Sequence, residues 1–192
     1  MILPNGIVEE FSSRFTQQAG IVHVAESGQQ AISMINEIIE QRGKPESCCS
    51  PQINLRQNGS TIDISGKLHT TLKFSEFQKQ PRKFANSLDV GITQAEYAIA
   101  ETGAIVDVSF TDEQRLLSSF TRVHIALLEP SRVLPRLADF APRIREMLGV
   151  QSGERRKPAV TLIGGPSRTA DIELKQVLGV HGPHEVHVVI CK

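Results

Sequence analysis

Lys157-Pro-Ala-Val-Thr-Leu-Ile-Gly-Gly-Pro-Ser-Arg-Thr-Ala-Asp-Ile-Glu-Leu-Lys-Gln-Val-Leu-Gly-Val-His-Gly-Pro-His-Glu-Val-His-Val-Val-Ile-Cys191 is the stretch on which the fold turns. Ala159 to Ile163 is a short apolar run between Pro158 and Gly164, the pattern of a buried strand. Gly164-Gly165-Pro166-Ser167-Arg168 reads as a tight loop. A helix is expected from Thr169, because Ala170, Leu174, Val177 and Leu178 recur on one face at helical spacing. Asp171 and Glu173 suit its positive end, and Gly179 stands where a left-handed cap would close it. His181-Gly182-Pro183 then turns the chain into a strand over Val186 to Cys191. Strand, loop, helix and strand in this order predict two parallel strands joined by a right-handed crossover.

A loop leading from the carboxyl end of a parallel strand into a helix is where open α/β sheets bind ligands. Gly164, Gly165, Pro166, Ser167, Arg168, Thr169 and Asp171 are therefore the candidate ligand loop. Bare glycines admit a ligand to the backbone, and Arg168 adds a fork of donors, so a small carboxylate or other anion is expected. Asp171 and Glu173 would repel such a ligand. A loop stabilised by its own acids, with Arg168 paired internally, is the competing reading.

Upstream, Asn5 can cap a first helix with Val8, Phe11 and Phe15 on one face, and Ile21 to Ala25 reads as a strand. Ser27 and Gln30 form a capping pattern for a second helix, stopped by Gly43 and Pro45. Residues 44–87 carry a weaker signal: short strands around Asn58-Gly59, then a polar span read as a surface excursion or a flap. Asp89 to Thr93 is a strand end with a short helical turn after it over Gln94 to Tyr97. A hairpin turns at Thr102-Gly103, and Val123 to Leu128 is a further strand. Pro142 should kink or split the helix that follows.

Several side chains could carry chemistry. Thr93 ends its strand facing the same crevice as Ser167 and Arg168, or else caps the next turn. Glu101 lies in the apolar stretch Ala98-Ile-Ala-Glu-Thr-Gly103, where burial would raise a carboxyl pKa. His181 can fix a turn or touch a ligand. His181, His184 and His187 recur at intervals of three, yet Gly182-Pro183 interrupts them and no acid or cysteine cluster supports a metal. His124, between Val123 and Ile125, reads as a buried, satisfied histidine.

The 192 residues suit a single domain over 1–192 with its own core. Net charge is zero and there is no basic stripe, which speaks against nucleic acid. No apolar run approaches the ~20 residues of a membrane span, and Met1-Ile-Leu-Pro-Asn-Gly lacks signal-peptide features, so a cytoplasmic protein is expected. Cys48, Cys49 and Cys191 make no Cys-x-x-Cys pair and cannot alone ligate a four-cysteine cluster. Walker and dinucleotide glycine motifs and the nucleophile elbow are absent.

Gly165-Pro-Ser-Arg-Thr-Ala-Asp-Ile-Glu173 with Gly179-Val-His-Gly-Pro183 resembles the C-terminal signature of the lactate utilisation protein C family, which carries the LUD domain. Val90-Gly-Ile-Thr93 with Ala98-Ile-Ala-Glu-Thr-Gly103 is similar to its central motif, and Thr121-Arg-Val-His-Ile125 fits the following strand more loosely. The resemblance runs from Asp89 to the end. It implies an α/β fold, a mainly parallel twisted sheet with helices on both faces, of the NagB/RpiA/CoA transferase-like superfamily. It also implies a part in oxidising L-lactate to pyruvate beside partner proteins that carry iron–sulfur clusters, with no cofactor on this chain; a homo-oligomer is compatible with it. CoA transferases of that superfamily use a glutamate nucleophile, which by analogy marks Glu101 as catalytic and Thr102 and Gly103 as its binding neighbours. The alternatives are a stand-alone CoA- or phosphosugar-handling enzyme using Glu101, and an assembly subunit without pocket chemistry.

Overall fold

The computed structural model describes residues 5–43, 45–51, 53–57, 60–149, 158–170, 176–178 and 182–192. In chain order its elements are α1 (Asn5–Gln17), β1 (Ile21–Ala25), α2 (Gly28–Glu40), β2 (Glu46–Cys49), β3 (Asn54–Gln57) and β4 (Ser60–Asp63). Next come α3 (Phe74–Lys79), α4 (Pro81–Ala85), β5 (Leu88–Gln94), β6 (Tyr97–Ile99), β7 (Ala104–Ser109), α5 (Asp112–Ser119) and β8 (Val123–Leu128). The chain continues through β9 (Val133–Leu134), α6 (Leu137–Gly149), β10 (Ala159–Ile163), β11 (Arg168–Ala170), β12 (Gln176–Leu178) and β13 (Glu185–Cys191).

Five strands form a wholly parallel sheet in the order β1, β13, β8, β5, β2. Such a sheet must be covered on both faces, and the alternation of side chains shows how. Val90, Ile92, Val123, Ile125 and Val189 point to one face, where they bury Ala31, Ile35 and Ile39 of α2. Ala126, Leu128, Val186, Val188 and Ile190 point to the other, against Phe11 and Phe15 of α1 and the strand residues Ala98 and Ile105. On that second face α5 crosses β5 at Gly91, where an added Cβ would stand 1.9 Å from the Leu117 carbonyl oxygen. Only glycine admits so close a helix. α2 begins as the sequence predicts, with the Ser27 hydroxyl accepting from Gln30 N.

The structure departs from the sequence reading at four places. β10 lies antiparallel to β7 in a second sheet, ordered β10, β7, β6, β9, and does not run parallel beside β13. The helix predicted from Thr169 is replaced by the antiparallel pair β11 and β12, registered Arg168 to Leu178 and Ala170 to Gln176. Val177 and Leu178 belong to a β-branched, apolar run that suits a strand as well as a helix, so periodicity alone misled. No helical turn follows β5: Gln94 ends the strand and Tyr97 opens β6. Pro142 sits inside α6, which is one helix and is not split there.

The described part of 44–87 is not a surface excursion alone, since it sends several side chains into the core. Ile53, Leu55, Ile64 and Leu68 are buried with α2, while Leu72 and Phe77 are buried against Cys48 and Leu117. The strands predicted on either side of Asn58-Gly59 are β3 and β4, and the turn itself lies outside the described residues. No described helix is long and apolar enough to cross a membrane.

Candidate functional site

β2, β5 and β8 are parallel neighbours, so their carboxyl ends lie at one edge of the sheet. A crevice of about 330 Å³ opens there. Ser50 reaches it from the end of β2, Thr93 and Gln94 from β5, and Glu129 from the end of β8. The second sheet closes the far side with Asp107, Ser109 and Phe110, and Arg132 arrives from the turn after β8. This is the position at which open α/β sheets hold ligands.

Each polar group is fixed by a specific partner. Asp107 is 4% exposed and accepts hydrogen bonds from Ser118 Oγ at 2.8 Å and Ser109 Oγ at 3.2 Å. Burial pushes its carboxyl pKa above the usual range, and the two hydroxyls oppose that shift. Arg132 donates from Nη1 to the Glu96 carboxylate and to the Glu96 backbone oxygen at 3.3 Å. Its Nε lies 3.9 Å from Glu129 Oε2, and its guanidinium stands 5.6 Å from the centre of the Tyr97 ring. Arg132 is thus held between two glutamates and a ring face. Gln94 exchanges two hydrogen bonds with the Asn54 backbone, tying β3 to the rim of the crevice.

Behind Thr93 stands His124, fully buried, with Nε2 2.8 Å from Thr93 Oγ1. Burial, then the neighbouring His187, hold its pKa down at about 3, so the ring is neutral. Its Nδ1 is buried without a hydrogen-bond partner. The histidine expected to be satisfied is satisfied on one side.

Of the residues singled out from sequence, only Thr93 lines this crevice. Thr102, Gly103, Gly164 and Gly165 gather instead around Gln18, at the end of α1. Gln18 Nε2 donates to Thr102 O at 2.9 Å and Gly103 O at 3.1 Å. Gly103 has φ 59°, and a Cβ on it would meet Arg14 Cβ at 2.6 Å; one on Gly165, at φ 147°, would meet the Gln18 carbonyl oxygen at 2.5 Å. Gly164, Gly165 and Pro166 form with Gln18 a separate open hollow of about 240 Å³. Ser167 pairs its N–H with Pro183 O at 2.9 Å. Arg168 and Thr169 lie in β11, while Asp171 and His181 fall outside the described residues.

Glu101 is exposed, not buried as its apolar surroundings suggested. Its Oε2 accepts from Leu137 N at 2.9 Å, capping the first turn of α6. Thr93 lines the crevice and Glu101 does not. Missed altogether were Asp107, Glu129, Glu96 and Arg132. The first two carried a signal: each is a lone carboxylate within or just after an apolar strand, Ala104-Ile-Val-Asp-Val-Ser109 and Val123-His-Ile-Ala-Leu-Leu-Glu129.

Among the described residues no three His, Cys, Asp or Glu side chains are grouped to hold a metal. The cysteines are buried free thiols, and burial together with Cys49 pushes the Cys48 pKa up to about 12. Such a thiol is a poor nucleophile and metal ligand.

A five-stranded parallel sheet, a second sheet on one face and a polar crevice at the strand ends define an α/β domain. Residues 8–191 match the LUD domain, and the chain belongs to that family. It is 40% identical over 99 residues to the uncharacterized protein YkgG of Escherichia coli. It is 38% identical over 99 residues to lactate utilization protein C of Halalkalibacterium halodurans. Each of these matches covers 52% of this chain and 42% of the relative, so under half of either relative's length is represented. Lactate utilization protein C of Bacillus pumilus is 26% identical over 189 residues, which is 93% of this chain and 78% of that protein. The crystal structure of a DUF162 family protein from Deinococcus radiodurans shares the fold with a TM-score of 0.60 at 17% identity, covering 97% of both chains.

Proposed function

We propose that this protein serves L-lactate utilisation, acting beside partner proteins that carry the iron–sulfur clusters, and that its own task is to hold a small ligand in the crevice beyond β2, β5 and β8. The names of its relatives support the system. The observation that carries the site is Asp107: a buried carboxyl, held by two serines, facing open space at the carboxyl ends of parallel strands. Side chains with environment-shifted pKa values in a cleft are the usual mark of function. An anion at the Gly164–Arg168 loop is the second reading, supported by the separate hollow beside Gln18. Loss of L-lactate binding in Arg168→Ala is its test.

The site reading is tested by growth on L-lactate in the native cell. Deleting the gene should abolish growth, the wild-type chain should restore it, and Asp107→Asn should fail to restore it while accumulating to wild-type level. That substitution removes a buried negative charge and keeps one acceptor for the serines, so stability should change by no more than about 1 kcal/mol. Normal growth with Asp107→Asn and with Thr93→Val would remove the crevice from the function.

A further inference from the structure

The crevice has a polarity that names a ligand class. Among its described lining residues are three carboxylates, Glu96, Asp107 and Glu129, against one guanidinium, Arg132. Arg132 is already engaged by Glu96 and lies beside Glu129. A carboxylate or phosphate brought here would be taken out of water beside like charges, with a cation whose positive charge is already matched. Carboxylate oxygens accept hydrogen bonds and never donate while ionised, so a ligand that satisfies them must offer donors.

Thr93 asks for the opposite. With Nδ1 of His124 buried and unpartnered, placing the ring proton there would leave an orphaned N–H, which folded proteins avoid more strictly than a bare acceptor. The proton therefore sits on Nε2 and is donated to Thr93 Oγ1 at 2.8 Å. That bond is the only one Thr93 Oγ1 makes among the described residues, so its own hydroxyl hydrogen is unspent, and the open space beside it is the crevice. The ligand must then accept as well as donate. An ammonium group only donates, an ionised carboxylate only accepts, and an alcohol does both. At the same crevice Phe110 is 46% exposed, the one aromatic ring among the described lining residues, which are mostly polar.

We propose that the crevice binds a neutral, polyhydroxylated ligand of the sugar or polyol class. Its hydroxyls donate to Asp107 and Glu129 and accept from Thr93, and its C–H face packs on Phe110. About 330 Å³ is enough for a monosaccharide-sized molecule. This rests on the crevice being the ligand site, and it departs from the expectation of a small anion.

Saturation-transfer NMR on the full chain, with calorimetry for any binder, tests it. The probes are D-ribose, D-glucose and D-mannitol against L-lactate, inorganic phosphate and ethanolamine. At least one of the three polyols should bind saturably. Asp107→Asn should weaken it about tenfold, the size expected for losing a hydrogen bond to a charged group. Phe110→Ala should weaken it several-fold; this residue is exposed, so the variant folds. Thr93→Val should weaken it and Thr93→Ser restore it. Silence from all three polyols overturns the class, as does binding of L-lactate, phosphate or ethanolamine in the crevice in their place. Polyol binding indifferent to all the variants overturns the location. If polyols are silent while Asp107→Asn still abolishes growth on L-lactate, the ligand class falls and the site stands.

Discussion

Two regions of this molecule were built from very different sequence signals. Around the end of α1, Gly103, Gly164 and Gly165 converge on Arg14 and Gln18, and each bare Cα is where the protein's own helix comes close. Around the crevice, single polar residues interrupt apolar strands, and no glycine is among the described lining residues. Glycine-rich motifs advertise close backbone approach, which is what the first region shows, but the approaching body here is helix α1. The crevice is advertised only by Asp107 and Glu129, lone charges where a β-sheet core would otherwise be unbroken. A memorable motif and a chemical site are separate things in this fold.

The contrast breaks if the glycines prove replaceable. Gly165→Ala would place a Cβ 2.5 Å from the Gln18 carbonyl oxygen at φ 147°, and Gly103→Ala would combine φ 59° with a 2.6 Å approach to Arg14 Cβ. Strain at such φ values and overpacking each contribute on the order of 1–3 kcal/mol, so roughly 2–4 kcal/mol of lost stability is expected for either. Urea unfolding should show a lowered midpoint with unchanged slope. Wild-type stability in both variants would mean that nothing presses on these glycines, leaving a ligand as the reason for them.

A smaller effect sharpens the crevice side. Burial, then the neighbouring His187, hold the pKa of folded His124 down at about 3, against an ordinary histidine value of 6.5. Between those values the unfolded chain binds the proton and the folded chain does not. Its stabilising contribution is therefore full above about pH 6.5 and lost progressively toward pH 3, at up to ~1.4 kcal/mol per pH unit. His23 and His187, hydrogen-bonded to each other at 3.0 Å and both depressed by burial, act in the same direction. Asp107, raised by burial, acts against them: its contribution is lost as pH rises through its folded value. Chemical denaturation from pH 7 down to pH 4 should give a steep loss in the wild type and a shallower one in His124→Gln. Parallel curves would show that His124 takes up its proton without unfolding the chain.

How much was legible follows from where the information lay. The parallel sheet could be read because Ile21–Ala25, Val123–Leu128 and Val186–Cys191 are apolar runs broken only by one histidine each, which suit strands of a covered parallel sheet. The 6–7 hairpin could be read from Thr102-Gly103. The helix over 169–178 was misread because a short alternation of small, charged and β-branched residues fits both periods. The crevice was illegible because it is made by adjacency across the sheet. Ser50, Thr93, Asp107 and Glu129 are far apart in sequence and meet only once β2, β5 and β8 are ordered side by side and β7 folds over their ends.

Glu101 gives the finest test of the comparison, since it lies within a family-like motif and outside the crevice. Its carboxylate caps α6 through Leu137 N, and a neutral amide oxygen can accept the same hydrogen bond more weakly. Glu101→Gln should therefore cost about 0.5–1 kcal/mol and leave growth on L-lactate intact. Glu101→Ala, which removes the acceptor, should cost somewhat more and still permit growth at reduced temperature. Loss of growth in Glu101→Gln with the fold intact would return the chemistry to the Glu101-Thr-Gly103 turn, because a cap tolerates the amide and a carboxylate nucleophile does not.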